Sequence, residues 1–121
     1  VELFVVQNVV LDGLMYPLVY DTIIDDVLSS QGGTPVAMLT QFMTDWFAET
    51  KKWSDATVKI AAAESAENKQ ILAQWLTEWR DRAASALLPV ARIALGDRTD
   101  AVMADVVQQF NARMAKAGVA I

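Results

Sequence analysis

An all-α bundle is the fold class that this 121-residue sequence predicts, and three observations predict it. In the stretch Thr34 to Ile60, TPVAMLTQFMTDWFAETKKWSDATVKI, the residues Leu39, Phe42, Met43, Trp46, Trp53 and Ile60 recur at helical spacing, which places them on one stripe of a helix. A second stripe, Ile71, Leu72, Trp75, Trp79, Ala83, Ala86, Leu87 and Val90, repeats the pattern further along. Strand-like alternation is scarce and no segment repeats, so four helices, two of them long, account for the chain.

The first helix, Val1 to Ser29, fits a 3.6-residue period only loosely, because apolar residues occupy nearly every face from Leu3 to Val19. Such a helix requires burial all round, which three partner helices rarely supply, so a neighbouring subunit or a further part of the same protein is expected against it. A membrane span is the rival reading. Gln7, Asn8 and Asp12 interrupt the run before it reaches the ~18–20 apolar residues of a span. Pro17 is expected to kink the helix, and Asp21, Asp25 and Asp26 to face outward.

The loop Ser29 to Pro35, SSQGGTP, ends in Thr34 as N-cap and Pro35 at the first helical position, so a helix starts there. It extends to about Ala63, with Lys51–Asp55 and Asp55–Lys59 as i,i+4 pairs on its solvent side. Ser65 is expected to begin a new helix, since one uninterrupted from Pro35 to Leu88 would far exceed the usual ~11–12 residues. In the third helix Glu78 pairs with Arg82, Pro89 is expected to kink or interrupt it, and Gly96 to stop it. The last helix, Thr99 to Ala117, carries Val102, Met103, Val106, Phe110 and Met114 on one face. Asp100 lies at its start and Arg113 and Lys116 at its end, as the helix dipole favours.

Composition narrows the chemistry more than it narrows the function. The apolar fraction of 54 % and mean hydropathy of +0.25 are high for a free soluble domain, usually ~45–50 % apolar, so some apolar surface is expected to meet another chain. A net charge of −5 with scattered cations offers no basic stripe for a nucleic-acid backbone. The sequence contains no Cys and no His. Disulfides, thiolate or imidazole metal sites, Ser-His-Asp triads and the Glu-x-x-His pair of di-iron bundles are therefore impossible within it. The run also begins at Val1 inside an apolar pattern, as a piece of a longer subunit would.

Each remaining candidate has a plainer alternative. Glu64 with Glu67, Asp97 with Asp100 and Asp25 with Asp26 could each hold a cation. An oxygen-only site normally needs a loop that gathers six or more oxygens, so these pairs read as solvated. Glu49, between two tryptophans, is followed three residues later by Lys52 rather than His, so it reads as a hydrogen-bonded core or interface acid. Tyr16, Tyr20, Trp46, Trp53, Trp75 and Trp79 could form a cation cage or an electron path, yet their helical spacing reads as core and interface packing. No catalytic, cofactor-binding or metal-ligating residue is assigned.

Two segments, NVVLDGLMYPLVYD from Asn8 to Asp21 and AAAESAENKQILAQWLTEWRDRAASALLPVARIAL from Ala61 to Leu95, resemble the β subunit of bacterial multicomponent di-iron monooxygenase hydroxylases, nearest the phenol hydroxylase and toluene monooxygenase branch. With the helix between them the resemblance covers Val1 to Gly96 and stops short of the last helix. It implies a ferritin-like long-helix bundle, here as a fragment forming one helical domain over residues 1–121. It also implies a non-catalytic cytoplasmic subunit without a metal site, packed against an iron-bearing α subunit and a small γ subunit in an (αβγ)2 assembly. Such a complex hydroxylates aromatic rings with molecular oxygen and electrons from NADH. The alternative from another class is a free-standing helical module that binds an apolar ligand or a partner helix. A carboxylate enzyme acting through a perturbed acid such as Glu49 is a third reading.

Overall fold

The computed structural model describes all of residues 1–121 and contains four helices. The first, α1, runs through Glu2–Phe4, Val5–Leu11, Asp12–Tyr16 and Pro17–Gly33, the last of which contains the turn at Gln31 and Gly32. Two of these segments, Val5–Leu11 and Pro17–Gly33, are wound as the wider π-helix, in which hydrogen bonds close five residues back. The buried residues of α1, Val5, Val9, Val10, Leu14 and Leu18, lie on one face, at steps of four residues except for the adjacent pair Val9 and Val10.

In the chain by itself α1 is not covered on every side, and the uncovered side is where a neighbouring subunit or a further part of the protein is expected. One side of α1 enters the core, while Leu3 and Leu11 on the other remain exposed. Pro17 keeps helical dihedrals, φ −61° and ψ −40°, and stands where the second π-wound segment begins. The ring removes one backbone donor, and a change of hydrogen-bond register accompanies it there in place of a break. By length and composition α1 with its continuation is long and apolar enough to cross a membrane, despite its polar interruptions. The core helix of a soluble bundle meets the same criteria.

At Gln31 and Gly32 the chain leaves helical dihedrals and turns into α2, Thr34–Glu64. The cap position is Gly33, and Thr34 is the first helical residue with no capping hydrogen bond from its side chain, which corrects the expected N-cap. The break at Ser65 is as expected. This residue is extended, φ −156° and ψ 160°, and its hydroxyl accepts from the Asn68 N–H at 3.0 Å, starting α3, Ala66–Leu95. Pro89 neither ends nor interrupts α3. Gly96 does end it, and a 3-10 turn, Gly96–Arg98, leads into α4, Thr99–Lys116. Thr99 is buried at this corner, donating to the Gly96 carbonyl at 2.6 Å and the Ala91 carbonyl at 3.3 Å.

The last helix closes with Gly118 at φ 91°. The Val119 N–H bonds the Met114 carbonyl and the Gly118 N–H bonds the Ala115 carbonyl, both at 3.0 Å. This arrangement satisfies two end carbonyls and folds Val119 into the core. The core itself joins the α1 residues above to Val58 and Ala62 of α2, Leu72, Leu76 and Ala83 of α3, and Met103, Val106, Phe110 and Met114 of α4.

Candidate partner interface

The stripe that the sequence assigns to the core of α2 lies on the outside. Leu39 is 75 % exposed, Phe42 65 %, Trp46 63 %, Trp53 47 % and Ile60 72 %. Met43 alone among the six is half-buried. The face that α2 turns inward carries smaller residues, Ser54, Val58 and Ala62, which let the helix approach its neighbours closely. Periodicity had found a real stripe and put it on the wrong side. Scattered exposed apolar residues are ordinary, but five large ones sharing one face, with Val36 and Met38 exposed nearby, are a concentration of the kind that marks an interface. On α3 the inward face is turned by one residue, burying Leu72 and Leu76 and leaving Ile71 and Val90 exposed.

Glu49 stands on this outer side and is not a core acid. It pairs with Lys52 at 2.6 Å, with both side chains more than two-thirds exposed. Lys52, the residue that departs from a ligand pattern, instead neutralises it. Glu64, Glu67, Asp97, Asp100, Asp25 and Asp26 are all exposed, and Glu64 accepts from the Asn68 amide at 3.1 Å. Glu78 and Arg82 form the expected pair at 2.6 Å.

The aromatic residues divide between core and surface. Tyr16 is buried, stacks on Phe47 with centroids 4.9 Å apart and lies 5.2 Å from Tyr20. Trp75 and Trp79 pack half-buried on the core. The Trp79 indole donates to the Glu2 carboxylate at 2.9 Å, and the Arg82 guanidinium lies 4.8 Å over its ring. Trp46 and Trp53 belong to the outer face, although Trp53 meets Phe4 of α1 at 5.6 Å.

One polar cluster escaped the sequence reading. Arg113 of α4 reaches between α1 and α2, donating from Nε to Asp55 at 2.7 Å, from Nη2 to the Ser54 hydroxyl at 3.0 Å and from Nη1 to the Val9 carbonyl at 3.4 Å. Asp55 is thereby taken from Lys51 and Lys59, its expected partners. Gly13 makes this possible, since a Cβ there would stand 2.7 Å from Arg113 Nη1 and 2.9 Å from the Phe110 ring. The available clue was the Asp12-Gly13 interruption of the apolar run opposite a charged residue beside Phe110 and Met114.

Burial raises the Asp12 carboxyl above its ordinary range, and the nearby Arg113 charge pulls it partly back. Burial likewise raises Tyr16, with Asp12 and Tyr20 adding to the effect. Asp21 is raised first by burial, then by Asp25 and Asp26, against the Thr44 hydroxyl and Lys51. A carboxyl raised in the folded state opposes folding once ionised, so its contribution is favourable at low pH and is lost as pH rises through the raised value. Asp21→Asn is therefore expected to raise the thermal midpoint slightly at pH 7. That advantage should vanish as pH falls to the ordinary carboxylate range, which paired thermal melts would reveal.

These residues do not fit a di-iron centre. There is no imidazole donor, and nowhere do three or more acidic side chains gather closely enough to hold a metal ion. What the geometry defines is a helical bundle tied inside by an arginine hub and presenting an aromatic-rich helix face outside.

The chain belongs to the methane/phenol/alkene hydroxylase family, whose model matches residues 1–65. It is 44 % identical to the oxygenase component DmpL of phenol 2-monooxygenase from Pseudomonas sp. strain CF600, over 97 % of this chain and 34 % of that protein. To the corresponding component MhpL from Acinetobacter pittii strain PHEA-2 it is 46 % identical over 78 % of this chain and 28 % of that one. Among solved structures it superposes on xenon-pressurised phenol hydroxylase from Pseudomonas sp. OX1 with a TM-score of 0.90 and 38 % identity, across 99 % of this chain and 35 % of that one. The fold is the ferritin-like helical bundle, and the match includes the last helix, beyond the Gly96 limit of the resemblance. This chain spans about a third of the length of those relatives.

Proposed function

We propose that this chain forms one helical domain of the non-catalytic, β-type subunit of a cytoplasmic di-iron hydroxylase that oxidises phenol-like aromatic rings. It packs against the iron-bearing α subunit, with a small γ subunit completing an (αβγ)2 assembly supplied with electrons from NADH. The carrying observation is the outer face of α2, where Leu39, Phe42, Trp46, Trp53 and Ile60 lie exposed together. Interface centres favour such aromatic anchors. The donor set supports a role away from the metal, since this chain supplies no histidine, and the naming of the relatives as oxygenase components supports membership of a multicomponent oxygenase. In this reading α1 is a core and interface helix, and no membrane or nucleic acid takes part.

Co-expression with a tagged, Glu-x-x-His-bearing subunit tests it. The chain is expected to be retained on that subunit through washing at high salt, because an apolar contact is not screened. Separation of the two under those conditions would contradict the proposal.

A further inference from the structure

A second surface lies on the opposite flank of α2 from the aromatic stripe. There α2 and the end of α4 bound an open groove of about 580 Å³ whose walls carry Lys51, Lys59, Lys116 and Arg113, with Asp55 the one acid. Four of the chain's ten cations thus face a single groove, against one of its fifteen acids, in a molecule of net charge −5. Asp55 cannot balance the lysines, because its carboxylate is committed to Arg113 at 2.7 Å. Lys51, Lys59 and Lys116 form no direct ion pair, although Asp21 lies near enough to feel the charge of Lys51. The carbonyls that end α4 offer Lys116 little compensation either, since Met114 and Ala115 are bonded by the turn at Gly118 and Val119.

We infer that this groove docks an acidic segment of a partner polypeptide, with several Asp or Glu side chains meeting Lys51, Lys59 and Lys116. Lys51 and Lys59 are two turns apart on one helix, about 12 Å at 1.5 Å per residue, so they suit carboxylates distributed along a chain more than one compact anion. Small residues, Ala56 and Ala112, line the groove between them and leave room for a backbone to come close. The α2 wall is mid-helix, where each N–H is already bonded four residues back, so it presents side-chain cations and no cradle of amides for a phosphate. The inference does not depend on the iron-bearing partner, which the aromatic face would meet.

Fluorescence anisotropy of a labelled oligoglutamate peptide, titrated with the full chain at low ionic strength, tests this. The triple substitution K51Q/K59Q/K116Q is expected to weaken binding about tenfold, the sum of three exposed charge contacts. K69Q/R92Q/R98Q, with the same charge change at exposed positions outside the groove, should alter it less than about twofold. Circular dichroism should be the same for all three proteins. Equal weakening in both variants, or no binding by the unsubstituted chain, would overturn the inference. Tripolyphosphate binding in preference to the peptide at the same ionic strength would overturn the polypeptide assignment.

Discussion

Arg113→Ala is expected to destabilise the bundle by about 2–4 kcal/mol, below the ~3–5 of a fully buried pair because Asp55 retains some solvent. The arginine side chain is 11 % exposed and that of Asp55 29 %. Removing it leaves Asp55 and Ser54 without their donor and empties the space over Gly13 and the Phe47 ring, where the guanidinium sits 5.8 Å from the centroid. Three helices lose their common tie at once. For a chain of this size the melting temperature should fall on the order of 10 °C. Arg113 also restrains the burial-raised Asp12 carboxyl. Without it Asp12 titrates higher still in the fold, so the ionised form opposes folding more. The deficit of the variant is therefore greatest at neutral pH and narrows as Asp12 becomes protonated, which urea titrations at several pH values would resolve.

The second large effect concerns association and leaves the fold alone. Phe42→Asp with Trp46→Asp places two carboxylates in the centre of the outer α2 face, where both native rings are more than 60 % exposed. Little native packing is lost, so the melting temperature should stay within a few degrees, as is usual for exposed substitutions. Truncating a buried aromatic anchor typically costs an interface about 2–4 kcal/mol, and a desolvated charge adds to that. Affinity for the iron-bearing subunit proposed as its partner should fall at least about a hundredfold. Surface plasmon resonance with that subunit immobilised measures this directly. Unchanged affinity would mean that another face makes the contact.

Helix number and punctuation were legible in the residues because they depend on local chemistry. Pro35 opens a helix, Ser65 caps one, Gly96 stops one, and the spacing of Met103, Val106, Phe110 and Met114 sets the inward face of α4. The side of α2 that turns inward is a tertiary property, and two faces competed for it. Size decided: Ser54, Val58 and Ala62 permit close helix approach, whereas Phe42, Trp46 and Trp53 would hold the helices apart. The pairing of Asp55 followed the same logic, since a lysine four residues away is a local guess and Arg113, fifty-eight residues away, is a product of the fold. The candidate interface was thus visible as a set of residues, and its direction was not.

The division of labour proposed for this chain is tested most directly by counting iron. The chain is purified alone, incubated anaerobically with ferrous iron, desalted and measured by plasma emission spectroscopy beside its complex with the Glu-x-x-His-bearing subunit. With no imidazole and no cluster of three acids to hold a metal, the isolated chain should retain essentially none, and the iron of the complex should track the partner subunit. Stoichiometric iron on the isolated chain would contradict the account.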